Sequence, residues 1–244
     1  MSAQPASGAA PRTVAQQAAA SMRHPLTLAL LALTFSTGTV DAVSYLRLDH
    51  VFTANMTGSI ALLGFGIAGA GGLPVLAPLI ALAAFVVGAG AGGLLAHELA
   101  DRQQRHLACA LTAEGTMLAV AAILAAVANP RVGSAVAYSM IVLMAGAMGV
   151  RNATVRRIGV PDLTTTVLTL TITGLAADSR LARGSGGGTI RRLAAVSTML
   201  VGALSGALML RVGVTLPLAF AAGLALVTCL AYSSFGPRAG APGA

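Results

Sequence analysis

The sequence predicts an all-α protein that crosses a membrane as a polytopic helical bundle. Of its 244 residues, 56% are hydrophobic and only 9% are charged, and the mean hydropathy is +0.84. The apolar runs are about 20 residues long, which matches a hydrocarbon layer of about 30 Å at roughly 1.5 Å per residue. We expect one transmembrane domain over residues 24–235. The flanking residues 1–23 and 236–244 are polar or rich in Gly and Pro, and we expect them to be disordered.

Six apolar runs are long enough to cross the bilayer as full spans. The first is too long for a signal-peptide core and has no obvious cleavage site, so we interpret it as a retained span. The six runs are Leu26–Leu46, Leu73–Ala96, Leu107–Ala128, Ser134–Thr154, Ile190–Leu210 and Val214–Ser234.

Two further apolar segments are shorter or more polar than these six. Phe52–Ala70 opens with hydroxyl and amide side chains, and Leu163–Ala177 has fifteen residues, six of them Thr. They either span as polar-faced helices or enter the membrane and turn back. Backbone that leaves helical geometry at membrane depth is tolerated only where protein or a wet cavity covers it. The second alternative therefore predicts two re-entrant or broken segments beside an internal cleft.

The distribution of Arg, which supplies all fifteen basic side chains, separates the two alternatives. If all eight segments cross and the N-terminus is inside, eight Arg lie inside and seven outside, which is no bias. If the two odd segments re-enter, only Arg47, Arg131 and Arg211 remain outside. We therefore predict re-entry, with both termini cytoplasmic in a bacterial inner membrane. The Arg then placed inside are Arg12, Arg23, Arg102, Arg105, Arg151, Arg156, Arg157, Arg180, Arg183, Arg191, Arg192 and Arg238.

An internal repeat appears when the sequence is aligned with itself at an offset of 111 residues. Repeat one covers about residues 24–128 and repeat two about 134–235. Each contains three full spans, an odd number, so the two copies would enter the membrane from opposite sides. Inverted repeats with interrupted helices are typical of secondary transporters. The matched features are Gly38, Asp41 and Ala42 with Gly149, Asn152 and Ala153; Thr53 with Thr164; Thr57 with Thr169; and the GxxxG pairs Gly88/Gly92 and Gly202/Gly206.

Two acidic residues inside spans are the candidate proton-coupling groups. An ionised carboxylate at membrane depth is costly unless it is paired, hydrated or protonated, so intramembrane acids are functional candidates. Asp41 could carry a proton or cation, with Asn152 as its neutral counterpart in the other half. The structural alternative is a salt bridge from Asp41 to Arg151, or an Asp that caps the helix. Glu114 could relay protons, or bond a neighbouring helix and stay protonated.

A solute-binding role is expected for the two odd segments. Thr53, Asn55, Thr57 and Gly58 offer uncharged donors and acceptors, and Gly58 permits a backbone break that would expose carbonyl groups. The Thr-rich counterpart contributes Thr164 and Thr169. The alternative is that these side chains form ordinary hydrogen bonds between helices.

Other functions find little support in the sequence. All four His lie at membrane edges or in loops, no HExxH motif is present, and no catalytic set is evident, so we expect no enzyme, cofactor or metal site. The +8 charge is attributed to anionic lipid headgroups rather than nucleic acid, because no aromatic residues alternate with the Arg. The GxxxG pairs predict close helix packing, either within the chain or in a homo-oligomer.

The residues singled out so far resemble the YoaK family of bacterial inner-membrane proteins, which is defined by a domain of unknown function. The resemblance covers roughly residues 24–234. Ser59 stands where members often carry Asn, and Thr169-Leu170 where they often carry Thr-Gly. It implies a polytopic membrane fold and no established activity. The motifs that carry it are Gly38, Asp41, Ala42, Tyr45, Phe52 and Asn55-Met56-Thr57-Gly58, followed by Gly149, Asn152-Ala153 and Thr164 to Thr169.

These observations favour a small secondary transporter or permease for a small solute. The site is expected between the repeats, and coupling is expected through protonation of Asp41 or Glu114 as the two halves rock. A non-transporting membrane scaffold or sensor, whose polar groups only hold helices together, is the alternative. The sequence leaves the solute, the coupling ion and the oligomeric state open.

Overall fold

A computed structural model describes residues 24–159, 168–179 and 188–235, together with Met22 and Ala182. All regular structure in these ranges is helical, and six helices are long and apolar enough to cross a membrane. The six predicted spans are therefore confirmed. The short helices α2 and α6 coincide with the two odd segments. The helices are α1 Pro25–Arg47, α2 Met56–Ile67, α3 Leu76–Glu98, α4 Gln103–Ala128, α5 Ala135–Ile158, α6 Leu168–Ala177, α7 Thr189–Met209 and α8 Thr215–Phe235, with a 3-10 turn at Ala70–Gly72.

Helix α1 begins where its sequence supplies a cap. The Nδ1 atom of His24 accepts a hydrogen bond from the Leu26 N–H at 3.2 Å, and Pro25 occupies the first helical position, where no N–H is needed. Leu26, Leu30 and Leu33 recur at helical spacing and are fully or almost fully buried. Helices α1 and α5 are the two most buried spans, so the interior of the bundle forms around them.

Close packing through Gly holds the spans together in pairs. α1 packs mainly on α7 and α3 on α5, while α4 packs on both α8 and α5. A side chain at Gly88 would collide with the backbone of Gly146, and one at Gly202 with the backbone of Phe35. Both GxxxG pairs therefore have packing partners within the chain, as expected of such motifs. A homo-oligomer through these helices stays a prediction.

The helix pairing recurs between the two halves of the chain. Gly202 faces Phe35 and Gly88 faces Gly146, and those two partners are 111 residues apart. The same offset relates the partners of the second Gly in each motif, Thr39 and Val150. This recurrence is what a duplicated unit would produce. The inverted relation of the two units stays a prediction.

The two short helices do not have the length of a span. At roughly 1.5 Å per residue, the twelve residues of α2 extend about 18 Å, well short of about 30 Å of hydrocarbon. A turn of Gly69, Gly71 and Gly72, all at positive φ, then leads into α3. Re-entry of these segments stays a prediction, with which their lengths agree. Residues 160–167, which include Thr164, lie outside the described residues, as do the predicted tails apart from Met22.

One Arg in the topology count is not a loop charge. Arg151 lies within α5 and is only 2% exposed, so lipid headgroups cannot reach its guanidinium group. Assigning it to the cytoplasmic surface was wrong. The predicted orientation therefore rests on the other Arg, most of which are still assigned to the inner side.

Candidate functional site

Asp41 determines where the chain folds back after α1. Its Oδ1 atom accepts hydrogen bonds from the backbone N–H groups of Ala54 at 2.9 Å and Thr53 at 3.2 Å. The carboxyl group is buried, and Thr53 Oγ1 also donates to Ser44 Oγ at 3.4 Å. Backbone outside a helix has N–H groups that need acceptors when buried. Asp41 supplies one and thereby fixes the non-helical stretch against α1.

The start of α2 is organised by the predicted motif, but not as predicted. Asn55 caps the helix, with its Oδ1 accepting the Gly58 N–H at 3.3 Å. The backbone break lies before Met56, and Gly58 is within α2, so the expected break at Gly58 is wrong. A Cβ at Gly58 would lie 2.8 Å from the Phe52 ring, so the Gly makes room for that ring. The break presents N–H groups at a helix N-terminus rather than free carbonyls.

A cavity of about 1010 Å³ adjoins this break and is bounded by α3 and α5. Its wall is apolar along α3 except for His97, and α2 and α5 contribute both polar and apolar residues. The described lining residues are Ala54, Asn55, Met56 and Thr57; Phe85, Ala89, Gly93, Ala96 and His97; and Asn152, Ala153, Val155, Arg156 and Arg157.

Three of the predicted site residues line the cavity: Asn55, Thr57 and Asn152. They come from different halves of the sequence, as the prediction requires. Asn152 also donates from Nδ2 to the Met148 carbonyl at 2.8 Å. The structure places the others elsewhere. Asp41, Thr53 and Gly58 lie beside the break without lining the cavity, Thr169 is exposed on α6, and Thr164 is not described.

Glu114 lies in the interior and is paired with Arg151. Arg151 Nε donates to Glu114 Oε2 at 2.8 Å, and Arg151 Nη2 pairs with Glu114 Oε1. Both side chains are almost fully buried. The alternative predicted from the sequence, a salt bridge from Asp41 to Arg151, is therefore wrong, because Arg151 pairs with Glu114. Because its charge is matched by Arg151, Glu114 is not a free carboxylate facing the cavity.

Sequence reasoning missed the charged part of the cavity wall. The sequence predicts only a topological role for Arg156 and Arg157, and only a position at a membrane edge for His97. A signal was present, since Arg156 follows Asn152 by four residues and shares its helix face. The apolar residue Phe85 gave no comparable signal, because its position against the cavity depends on how α3 packs on α5.

Comparison with known proteins identifies the family. The family model "Protein of unknown function (DUF1275)" matches residues 29–231. The chain is also similar to the UPF0700 transmembrane protein YoaK of Bacillus subtilis (strain 168), with 34% identity over 165 residues, which are 66% of this chain and 68% of the relative. No solved structure matches the chain significantly. The resemblance to the YoaK family is thus confirmed, and this multi-pass membrane protein belongs to the DUF1275 family.

Proposed function

We propose that the protein is a small permease that carries a small solute across the bacterial inner membrane. One observation carries the proposal: a large cavity joins a broken segment of one half of the chain to Asn152 of the other half. Secondary transporters bind solute at such places, because interrupted helices present polar backbone inside the membrane. The inverted relation of the halves is part of the proposal. It includes no enzymatic step.

The extent of the cavity supports this function. His97 lies in the last turn of α3, whereas Phe85 lies twelve residues earlier, about 18 Å deeper at roughly 1.5 Å per residue. Arg156 and Arg157 lie in the last turn of α5. The cavity thus extends from the ends of α3 and α5, of which α5 bears the two Arg, to about the middle of the bundle. With both termini cytoplasmic, this end faces the cytoplasm.

Asp41 is the better of the two candidate coupling groups. Protonation would weaken the hydrogen bonds that its carboxylate accepts from Thr53 and Ala54, since bonds to a charged acceptor are the stronger ones. That would loosen the break beside the cavity. Glu114 is the weaker choice because Arg151 already compensates its charge. Coupling through Asp41 would therefore link a proton to movement of the broken segment.

Uptake by proteoliposomes tests the proposal. Purified protein is reconstituted, and a panel of radiolabelled sugars, amino acids, amines and carboxylates is screened with and without an imposed proton gradient. We expect at least one solute to accumulate faster than in empty liposomes. Asn152→Ala should reduce that flux, and Asp41→Asn should abolish its dependence on the gradient. Absence of protein-dependent flux for every solute would refute the permease.

The many internal hydrogen bonds favour the second candidate, a non-transporting scaffold or sensor. Asp41, Glu114 and Arg151 all bind groups within the bundle. Cells that carry Asp41→Leu or Asp41→Asn in place of the native protein distinguish the two functions. If both variants fold and retain full cellular function, a role of Asp41 in coupling is excluded and the scaffold is favoured.

A further inference from the structure

We propose that the cavity binds small organic anions, whose acidic group pairs with Arg156 and Arg157. The inference deepens the proposed function by naming the class of solute, and it rests on that function for the statement that the anion is carried. Binding itself requires only the cavity and its charges.

The charge of the cavity wall is of one sign. Arg156, Arg157 and His97 line it, and no Asp or Glu is among its described lining residues. Both Arg are exposed, and neither forms an ion pair with a carboxylate in the part of the chain that the structure describes. Guanidinium groups bind carboxylate and phosphate in bidentate geometry. Two such groups at the mouth of a cavity, with no carboxylate partner among the described residues, would attract an anion and repel a cation.

The deep end of the cavity offers hydrogen-bond donors. Met56 and Thr57 line it, and their backbone N–H groups have no acceptor among the described residues. The next two N–H groups are already bound by Asn55, that of Gly58 by the side chain and that of Ser59 by the backbone carbonyl. The start of a helix carries a partial positive charge that favours anions. The cavity is therefore electropositive at its mouth, and its deep end offers two N–H donors to a ligand. The Asp41 carboxylate lies beside this end, but it binds the N–H groups of Thr53 and Ala54 and does not line the cavity.

Between these ends the wall is apolar apart from Asn152. Phe85, Ala89, Ala96 and Val155 offer contact for a hydrocarbon body. A volume of about 1010 Å³ is at the upper end of the range for pockets that enclose drug-sized ligands. An inorganic ion would leave most of this space and its apolar wall unused. The combination fits an anion with an apolar body, such as an aromatic carboxylate or a phosphate monoester.

Binding is measured on the full chain in phosphatidylcholine nanodiscs, by thermal shift and by equilibrium binding of labelled probe. The probes are benzoate, benzamide and benzylamine, which share a shape and differ in charge, together with phenyl phosphate. We expect saturable binding of at least one anion and weaker binding of the amide and the amine. If benzamide or benzylamine binds as well as both anions, or nothing binds, the proposal fails.

Paired variants assign the binding to the cavity. Arg156→Gln/Arg157→Gln should weaken anion binding at least about tenfold, the factor expected for a lost hydrogen bond between charged groups. The control Arg131→Gln/Arg211→Gln removes the same charge from exposed positions outside the cavity and should leave affinity unchanged. Arg156→Lys/Arg157→Lys keeps the charge and should retain part of the binding. Equal affinity in the Gln variant and its control would overturn the proposal.

Two further measurements distinguish the solute site from a lipid-headgroup site and from the proposed permease function. In nanodiscs containing phosphatidylglycerol, stabilisation that needs Arg156 and Arg157, without binding of either free anion in phosphatidylcholine, would identify a lipid-headgroup site and refute the solute site. In proteoliposomes, Arg-dependent anion binding without flux would refute the permease and leave the anion site standing. Flux of a neutral solute without Arg-dependent anion binding would refute the anion site and leave the permease standing.

Discussion

Arg151 of α5 and Glu114 of α4 form a bidentate ion pair in the interior of the bundle. The remaining guanidinium hydrogens bind α1: Nη1 donates to the Leu33 carbonyl at 2.9 Å and to Thr37 Oγ1 at 2.8 Å, and Nη2 donates to Ser36 Oγ at 3.0 Å. All five N–H donors of the guanidinium group therefore have acceptors. One side chain thus links three spans.

Removing either partner of this pair should destabilise the protein strongly. Glu114→Leu leaves Arg151 as a buried charge without its counterion, and Arg151→Leu does the same to Glu114. Each should cost about 3–5 kcal/mol, the range for breaking a buried pair. Denaturant unfolding in mixed micelles measures this free energy.

The double variant Glu114→Leu/Arg151→Leu and the more exposed pair of Asp178 and Arg192 serve as controls. The double variant should lose less than the sum of the single variants, because no unpaired charge remains and the Thr37 hydroxyl still donates to the Leu33 carbonyl. Asp178→Leu breaks the pair with Arg192, in which the Asp178 side chain is exposed, and should cost less than either single variant of the buried pair. Single variants as stable as the native protein would contradict this account.

Asp41→Ala should destabilise the protein more than Asp41→Asn. The Ala variant leaves the buried N–H groups of Thr53 and Ala54 without an acceptor, at about 1–3 kcal/mol for each group. The Asn variant keeps an amide oxygen at the same place. Thermal unfolding in detergent micelles measures the difference, and hydrogen exchange at Ala54 should increase in the Ala variant first. Equal stability of the two variants would show that Asp41 does not hold the break.

Gly88→Ala should destabilise the protein, whereas Gly90→Ala should not. A Cβ at Gly88 meets the backbone of Gly146, which has no flexible side chain that could move aside. At Gly90, on the same helix, nothing lies within 4 Å. Overpacking at Gly88 should cost about 1–3 kcal/mol. The melting temperatures in one detergent give the comparison, and a Gly90 variant as unstable as the Gly88 variant would argue against close α3–α5 packing.

The predicted orientation can be checked with topology reporters. A reporter that is active only in the cytoplasm should be active after Arg157 and inactive after Arg131, because the side predicted to be cytoplasmic carries most of the Arg. A periplasmic reporter gives the complementary readout at the same two sites. Periplasmic activity after Arg157 would overturn both the orientation and the cytoplasmic opening of the cavity.

Parts of the site were predictable from short motifs in the sequence. The polar residues between Thr53 and Ser59, together with Asn152, predict a broken segment and its partner helix, and Asn55, Thr57 and Asn152 do meet at one cavity. The role of Gly58 was not predictable, because it depends on the Phe52 ring that packs against it. The partner of Arg151 was not predictable either, because Glu114 is distant in the sequence and its rotation about α4 is set by packing.

The sequence by itself determined the six spans, the two short helices and the family. The spans and short helices follow from hydropathy and run length, which are compared directly with the thickness of a bilayer, and the family follows from the residues of its motifs. None of this requires knowledge of which helices touch. Only the tertiary structure decided that Arg151 pairs with Glu114, that Asp41 binds backbone N–H groups, and that Arg156 and Arg157 face a cavity. Each of these contacts depends on the rotation and register of one helix against another. The close approach of Gly residues to the backbone of the neighbouring helix fixes that rotation and register.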